Sequence, residues 1–145
     1  MQNSMILLVE DDPNDELLTL RALKMSNIKH EVIAVHDGVE ALDFLFCRNT
    51  YADRDPHNLP QLILLDIKLP KMDGLEVLRH LRANQRTHLL PVVILSSSKE
   101  DEDLIKAYKN GANSCLRKPV DFTQFMEYIR QLGLYWLQLN EAPPK

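Results

Sequence analysis

The stretch that decides the fold is LILLDIKLPKMDG, residues 62–74. Its first four residues are large and apolar, which is typical of a strand that is buried on both faces of a sheet. A carboxylate, Asp66, follows this run directly, and a turn signal, Asp73-Gly74, comes a few residues later. A buried strand that ends in a charge without a neighbouring partner must find that partner elsewhere in the fold.

Short apolar runs recur along the chain and alternate with amphipathic stretches. There are five such runs, at residues 5–9, 31–35, 61–65, 91–95 and 114–117. Aliphatic runs of this length between helical stretches predict parallel strands that are joined by crossover helices. We therefore expect an α/β fold, a doubly wound five-stranded parallel sheet with helices on both faces.

Capping residues mark where the predicted helices begin. Acidic residues that can accept hydrogen bonds from the first backbone amides precede four of these helices: Asp12, Asp37, Asp73 and Asp121. Asp15 and Glu16 suit the positive end of the first helix. Ser98 is expected to cap the fourth helix, because an acid follows it three residues later. The polar segment 48–60 is interpreted as a long surface loop.

Bulk properties exclude several classes of protein. The chain has 145 residues, a formal net charge of −4, and two cysteines, Cys47 and Cys115, without the spacing of a metal site. The negative charge argues against nucleic acid as the main partner. No apolar run reaches the roughly 18 residues of a membrane span, and no basic leader precedes the first strand. We expect a single domain over residues 1–140, a tail at 141–145, no output domain and a cytoplasmic location.

Polar side chains collect at the carboxyl ends of the predicted strands. Glu10 and Asp11 follow the first strand, and Asp66 follows the third. Ser96 lies at the end of the fourth strand, and Lys118 lies at the end of the fifth. In an open parallel sheet these ends share one edge, where ligands bind. The partners of Asp66 are therefore expected to come from other strands.

Three carboxylates at one edge of the sheet need a cation. Two carboxylates about 4 Å apart repel each other by roughly 4 kcal/mol at an effective dielectric constant near 20. The single lysine, Lys118, is too little to neutralise them, whereas Mg²⁺ binds one or two carboxylates together with phosphate oxygens. The pattern favours a site for Mg²⁺ and a phosphoryl group, which a carboxylate can carry as an aspartyl phosphate.

Four segments of the chain, VEDDP, LILLDIKLPKMDG, VVILSSS and RKPV, resemble the receiver domain of two-component response regulators. The resemblance covers about residues 5–132. It implies the flavodoxin-like receiver fold, (βα)₅, with the strand order 2-1-3-4-5. It also implies that Asp66 is the phosphoacceptor, that Ser96 contacts the phosphoryl group and that Lys118 pairs with it.

The same resemblance implies the metal ligands and a peptide geometry. Mg²⁺ is expected to be bound by Asp11 directly, by Glu10 through water, by Asp66, and by the backbone carbonyl of Lys68. The bond between Lys118 and Pro119 is expected to be cis.

One residue departs from the family pattern. The family often has Tyr or Phe at the position of Cys115, which puts the usual aromatic rotamer switch in doubt. The resemblance still allows movement of the Ser96 hydroxyl to reshape the fourth helix and fifth strand. We interpret Cys115 as a small buried residue rather than as a redox sensor.

The long 48–60 loop and the expected lack of an output domain narrow the resemblance from response regulators in general to one group of them. The chain is similar to the small stand-alone response regulators of bacterial phytochrome histidine kinases. This implies phosphoryl transfer from a sensor histidine kinase and a homodimer formed through the fourth helix, fifth strand and last helix. Four large apolar residues, 134–137, lie past the expected helix end and support an interface. The alternative is that they fold back on the core.

Two other functions are open alternatives. A Mg²⁺-dependent phosphatase that forms an aspartyl phosphate needs a second acid two residues after the nucleophile, where this chain has Lys68. A non-phosphorylated interaction module of the same fold would not need the full set of acids, hydroxyl and lysine. We therefore predict a phosphoacceptor signalling protein and not an enzyme.

Overall fold

Five parallel strands form the centre of the structure, a computed structural model that describes residues 5–119 and 121–144. The strands are β1 (Met5–Val9), β2 (Glu31–Val35), β3 (Leu62–Leu65), β4 (Val92–Ser96) and β5 (Ser114–Arg117). Their order in the sheet is β2-β1-β3-β4-β5, which confirms the predicted topology. Met1 and Lys145, the outer limits predicted for the domain and its tail, lie outside the described residues.

Within the described residues, five α-helices connect or follow the strands. They are α1 (Pro13–Met25), α2 (Gly38–Leu45), α3 (Gly74–Ala83), α4 (Asp101–Lys109) and α5 (Phe122–Leu134). The four predicted aspartate caps are confirmed, because each side chain accepts a hydrogen bond from a backbone amide in the first turn of its helix. Among the described residues, no helix combines the length and the apolar composition that a membrane crossing requires.

The prediction that Ser98 caps α4 was wrong. The helix begins two residues further on than that cap would require, after Glu100, whose side chain makes no capping hydrogen bond. The Ser98 hydroxyl instead donates to Asp103 Oδ2 over 2.6 Å and accepts a hydrogen bond from the Glu100 amide. Three acids in the first turn supply the negative charge that favours a helix start at this position.

Side chains from the two faces of the sheet form two apolar clusters. Leu7 and Val9 of β1 join the cluster beneath α2, α3 and α4. Ile6 and Leu8, which alternate with them, join the cluster beneath α1 and α5. All four are at most 1% exposed. A strand that is buried on both faces needs a continuous apolar run, which is the pattern that predicted these strands.

Arg54 holds the long loop at 48–60, where the chain also forms a 3₁₀ turn, Asn49–Tyr51. Its guanidinium carbon lies 3.6 Å from the centre of the Phe44 ring. The same guanidinium donates to the carbonyl oxygens of Phe44 and Asn58. A cation over an aromatic ring and two carbonyl acceptors together tie the loop to α2.

The apolar residues 134–137 divide between the core and the surface, and the expectation that all four lie past the helix end was wrong, because α5 extends through Leu134. The chain continues into a π-helical stretch, Tyr135–Leu139. Trp136 and Leu137 pack against the cluster beneath α1 and α5, and the Leu137 carbonyl accepts a hydrogen bond from the Gln61 side chain. Leu134 and Tyr135 are 42% and 48% exposed. Two of the four residues therefore fold back on the core, and an interface through the other two stays a prediction.

Candidate functional site

The register of the sheet brings the predicted site residues to one edge. Val9 of β1 lies beside Leu65 of β3, so the residues that follow these two strands are neighbours. The Asp66 amide extends this pairing by donating to the Val9 carbonyl oxygen over 3.1 Å. Because parallel strands end at the same edge, the carboxylates after β1 and β3 converge although they are distant in sequence. The expectation that the partners of Asp66 come from other strands is confirmed.

Glu10, Asp11 and Asp66 form a group of three carboxylates. One oxygen atom from each lies within 4.8 Å of the others. Glu10 and Asp66 are 2% and 9% exposed, whereas Asp11 is exposed to solvent. Carboxylate oxygens are the ligands that hard divalent cations prefer, and an exposed member leaves positions for water. The donor set and its spacing therefore fit a divalent metal ion.

The ammonium of Lys118 lies among three carboxylates. Its Nζ is 2.5 Å from Glu10 Oε1, 3.1 Å from Asp15 Oδ2 and 3.7 Å from Asp66 Oδ2. The Lys118 side chain is 9% exposed, so these acids replace most of its contact with water. Two of these partners were predicted. Asp15 was assigned only to the start of a helix, since no local signal indicates that α1 points it at the lysine that follows β5.

Burial changes the acid–base properties of this site. Burial raises the pKa of Glu10 from its ordinary value of 4.5 to about 7; the hydrogen bond from Lys118 opposes the rise, and the charge of Asp66 adds to it. For Lys118, burial works against the charged form, but the acids Glu10, Asp66 and Asp15 outweigh it and raise its pKa. A proton on Glu10 thus neutralises part of the site near neutral pH, and a metal ion held by these acids would have to displace that proton.

The turn after β3 positions Asp66 through backbone contacts. The Lys68 amide donates to Asp66 Oδ1 over 3.3 Å, and the Lys68 side chain is exposed. The Gly74 amide donates to the Ile67 carbonyl oxygen. A Cβ atom at Gly74 would lie 2.1 Å from the Asp66 carbonyl oxygen, so only glycine fits there. The turn therefore requires the glycine of the Asp-Gly pair, while metal binding by the Lys68 carbonyl stays a prediction.

Ser96 and Lys118 are linked through the ends of β4 and β5. Ser96 is 1% exposed, and its hydroxyl accepts a hydrogen bond from the Ser98 amide over 3.0 Å. The Lys118 amide donates to the Ser96 carbonyl oxygen over 2.8 Å. The described residues contain no cis peptide bond, so the expected cis geometry at Lys118–Pro119 was wrong. The trans form of such a bond is favoured by about 0.5–1 kcal/mol.

Cys115 occupies the position where the family often has an aromatic residue. It is half-buried on β5, the edge strand, and its backbone amide donates to the Tyr108 hydroxyl of α4 over 3.2 Å. Burial raises the pKa of its thiol, which keeps the thiol protonated and weakly reactive. This agrees with a packing role rather than a redox role, although the residue is less buried than we expected.

Sequence comparisons identify relatives along nearly the whole chain. The family model of the response regulator receiver domain matches residues 6–130. FilR2 of Methanothrix harundinacea, a probable methanogenesis regulatory protein, is 37% identical over 138 residues, which are 95% of this chain and 86% of that protein. Response regulator Rcp1 of Synechocystis is 37% identical over 138 residues, which are 95% of this chain and 92% of that protein.

Solved structures agree with the sequence relatives. The phosphorylated cyanobacterial phytochrome response regulator RcpA has a TM-score of 0.90 at 34% identity, covering 99% of this chain and 100% of that chain. The Mn²⁺-bound form of Rcp1 has a TM-score of 0.87 at 36% identity, covering 97% of this chain and 99% of that chain. The shared sequence motifs, the strand order and the convergent acids have one explanation. This chain belongs to the response regulator receiver domain family.

Proposed function

We propose that this protein is a stand-alone response regulator that accepts a phosphoryl group on Asp66 from the phosphohistidine of a sensor histidine kinase. The observation that carries the proposal is the position of Asp66, grouped with Glu10 and Asp11 and 3.7 Å from the Lys118 ammonium. An Asp66 oxygen forms a bond to phosphorus while the bond from phosphorus to the kinase imidazole breaks. The imidazole nitrogen then takes up a proton. Such a chain is a cytoplasmic phosphoacceptor rather than an enzyme that turns over phosphate esters.

The remaining site residues bind and orient the groups that react. Glu10, Asp11, Asp66 and the Lys68 carbonyl are proposed to hold Mg²⁺, which neutralises charge on the transferred phosphoryl oxygens when it is bound. The Mn²⁺-bound form of Rcp1 supports a divalent cation here. Lys118 donates to a phosphoryl oxygen, and the Ser96 hydroxyl donates to another when it leaves its present bond with the Ser98 amide.

The test of the phosphoacceptor is Asp66→Asn. The protein is incubated with acetyl phosphate and Mg²⁺, and its intact mass is measured. We expect the wild type to gain one phosphoryl group and Asp66→Asn to gain none, because an amide is not a nucleophile for this transfer. Asp73→Asn is the matched control, since Asp73 lies outside the acid group and asparagine also caps a helix. Persistent Mg²⁺-dependent labelling of Asp66→Asn would remove Asp66 from this role.

We propose a phytochrome histidine kinase as the donor. The similarity to RcpA, a cyanobacterial phytochrome response regulator, supports this choice. The experiment compares transfer rates from a purified phytochrome kinase and from unrelated sensor kinases of the source cell. We expect the phytochrome kinase to label the protein fastest. Faster labelling by an unrelated kinase would assign the protein to another pathway.

We also propose a homodimer through α4, β5 and α5. Ile105 and Tyr108 on α4 are each 53% exposed, and large apolar side chains of this kind are typical of interface centres. Ile105→Glu is expected to convert the dimer to a monomer in analytical ultracentrifugation. Leu17→Glu is the matched control, because Leu17 is 63% exposed but lies on α1. A dimer that survives Ile105→Glu would place the interface elsewhere.

A further inference from the structure

A fourth carboxylate contacts the site from outside the group of three acids. Asp15 Oδ2 lies 3.1 Å from Lys118 Nζ and accepts a hydrogen bond from it. Asp66 Oδ2 is farther from the same nitrogen, at 3.7 Å. The two hydrogen bonds of the ammonium therefore go to Glu10 and Asp15. Lys118 is therefore held toward β1 and α1 rather than hydrogen-bonded to Asp66.

The first turn of α1 holds Asp15 in this position. The Asp15 amide donates to Asp12 Oδ1 over 3.4 Å. The Asp15 carbonyl oxygen accepts a hydrogen bond over 2.8 Å from the hydroxyl of Thr19, which is fully buried. A cavity of about 60 Å³ adjoins Asp15 and Lys118. Asp15 is thus anchored by its helix. The cavity beside Lys118 leaves the lysine side chain room to move.

Phosphorylation changes the competition for the ammonium. A phosphoryl group adds about two negative charges and three acceptor oxygens beside Lys118. During transfer, stabilisation of the phosphoryl oxygens needs the lysine donor near Asp66. The ammonium has three N–H donors and gives two of them to Glu10 and Asp15, so the contact with Asp15 competes by holding Nζ on the α1 side, 3.7 Å from Asp66 Oδ2, and not by using up its donors.

We propose that Asp15 is a positioning residue that holds Lys118 on the α1 side and thereby restrains phosphorylation of Asp66. The proposal rests on the proposed function of Asp66. It identifies Asp15 as an additional determinant of the rate, separate from the metal ligands. The contact is partly exposed, because the Asp15 side chain is 35% exposed, so its effect on the rate is modest.

The first experiment measures the rate of labelling by acetyl phosphate at saturating Mg²⁺. We expect Asp15→Asn to be labelled about two- to fivefold faster than the wild type, the range for loss of one partly exposed ion pair. Glu16→Gln is the matched control. It removes the same charge from the same helical turn, but Glu16 pairs with His36 over 2.8 Å and not with Lys118. We expect the control to be labelled at the wild-type rate.

The second experiment asks whether Asp15 acts through Lys118. Removing the negative charge of Asp15 also speeds labelling directly, because it reduces repulsion of the anionic acetyl phosphate. This direct effect does not need Lys118, whereas the positioning effect does. We expect Lys118→Met to be labelled slowly, and the added Asp15→Asn change to leave that rate unaltered. Acceleration by Asp15→Asn in the Lys118→Met background would overturn the positioning role.

The outcomes separate this inference from the proposed function. If the wild type is labelled and Asp15→Asn is labelled no faster, the positioning role is wrong and the phosphoacceptor role stands. If Glu16→Gln accelerates labelling as much as Asp15→Asn does, a general effect of charge at the helix start replaces the contact with Lys118. If the wild type is not labelled at all, the proposed function and this inference both fail.

Discussion

At the scale of single residues, burial decides what each carboxylate of the site can do. Glu10 is almost completely buried, and burial raises its pKa to about 7. Asp11 belongs to the same group of oxygen ligands but is exposed. Two neighbouring acids in the sequence thus differ in environment, because one side chain points into the protein and the other points to solvent.

The raised pKa of Glu10 predicts pH-dependent metal binding. A bound metal ion would have to displace the Glu10 proton, so Mg²⁺ affinity should rise with pH up to about 7, the pKa of Glu10 in the folded protein, and then level off. Calorimetry in two buffers with different ionisation enthalpies should detect release of about one proton at pH 6. In Glu10→Gln the remaining pH dependence should be weaker. Equal proton release by both proteins would show that Glu10 is ionised before the metal binds.

The same pKa predicts how stability without metal depends on pH. The folded-state pKa of Glu10 lies above its ordinary value of 4.5, so the unfolded chain loses this proton first as the pH rises. The contribution of Glu10 to stability should therefore fall between about pH 4.5 and 7. Urea unfolding of the wild type and Glu10→Gln in EDTA should show their difference growing over this range. A constant difference would contradict the prediction.

At the scale of elements, one turn and one side chain of α3 position the ends of the strands that form the site. The turn between β3 and α3 brings Gly74 against the Asp66 backbone. Arg82 of α3 joins the loop before β4 to the loop before β5. It donates to five acceptors: the carbonyl oxygens of Thr87, His88, Leu90 and Gly111 and the side-chain oxygen of Asn113. These contacts hold the segments that lead into β4 and β5. They thereby help to position Ser96 and Lys118 at the other ends of those strands.

Gly74→Ala should destabilise the protein and impair phosphorylation. The new Cβ would lie 2.1 Å from the Asp66 carbonyl oxygen, and backbone must move to admit it. We expect a loss of about 1–3 kcal/mol in urea unfolding and slower labelling by acetyl phosphate. Gly133→Ala is the matched control, because its Cβ meets the flexible end of Ile28 and alanine favours a helix. Equal losses of stability in the two variants would show that the turn after β3 does not specifically require glycine at position 74.

Arg82→Met should cost more stability than a typical surface substitution. It removes one donor from each of five acceptors, of which the Thr87 carbonyl and the Asn113 side-chain oxygen keep a hydrogen bond from a backbone amide. We expect a loss of about 2–4 kcal/mol in the free energy of unfolding. Arg79→Met on the same helix is the control, since Arg79 makes an exposed ion pair with Glu76 and should cost less than about 1 kcal/mol. Similar losses would show that water replaces the Arg82 contacts.

At the scale of the whole molecule, the sheet separates two apolar clusters among the described residues. The acids Glu10, Asp11 and Asp66 lie at the carboxyl ends of its strands, outside both clusters. Helices α2, α3 and α4 cover one cluster, and α1 and α5 cover the other. The carboxylates after β1 and β3 repel each other in this folded arrangement and are far apart in an unfolded chain. A cation that binds the folded state should therefore stabilise the entire domain.

Mg²⁺ should raise the free energy of unfolding by about 2.7 kcal/mol at one hundred times its dissociation constant. The measurement is urea unfolding with Mg²⁺ and with NaCl of equal ionic strength. Asp11→Asn should lose most of the increase, because Asp11 supplies an exposed ligand without supporting the core. An equal increase in this variant would mean that the ion binds elsewhere.

Much of this molecule follows from local patterns in the sequence. The apolar runs located the strands to within one residue, since strands of a parallel sheet that is covered by helices are mostly apolar along their length. The aspartate caps located four helix starts, because capping is a contact between near neighbours in the chain. The grouping of Glu10, Asp11 and Asp66 followed from the rule that parallel strands end at the same edge of the sheet.

Other features were decided only by how the elements pack. Asp15 contacts Lys118 across 103 residues of sequence, and nothing near either residue indicates that α1 turns this acid toward the end of β5. Ser98 donates to Asp103 rather than capping α4, and the apolar residues 134–137 divide between core and surface. The sequence alone determined which elements form and which charges meet at the sheet edge, because those follow from short-range periodicity and strand direction. Only the tertiary structure decided which acids hold the lysine, because that depends on the position of each helix against the sheet.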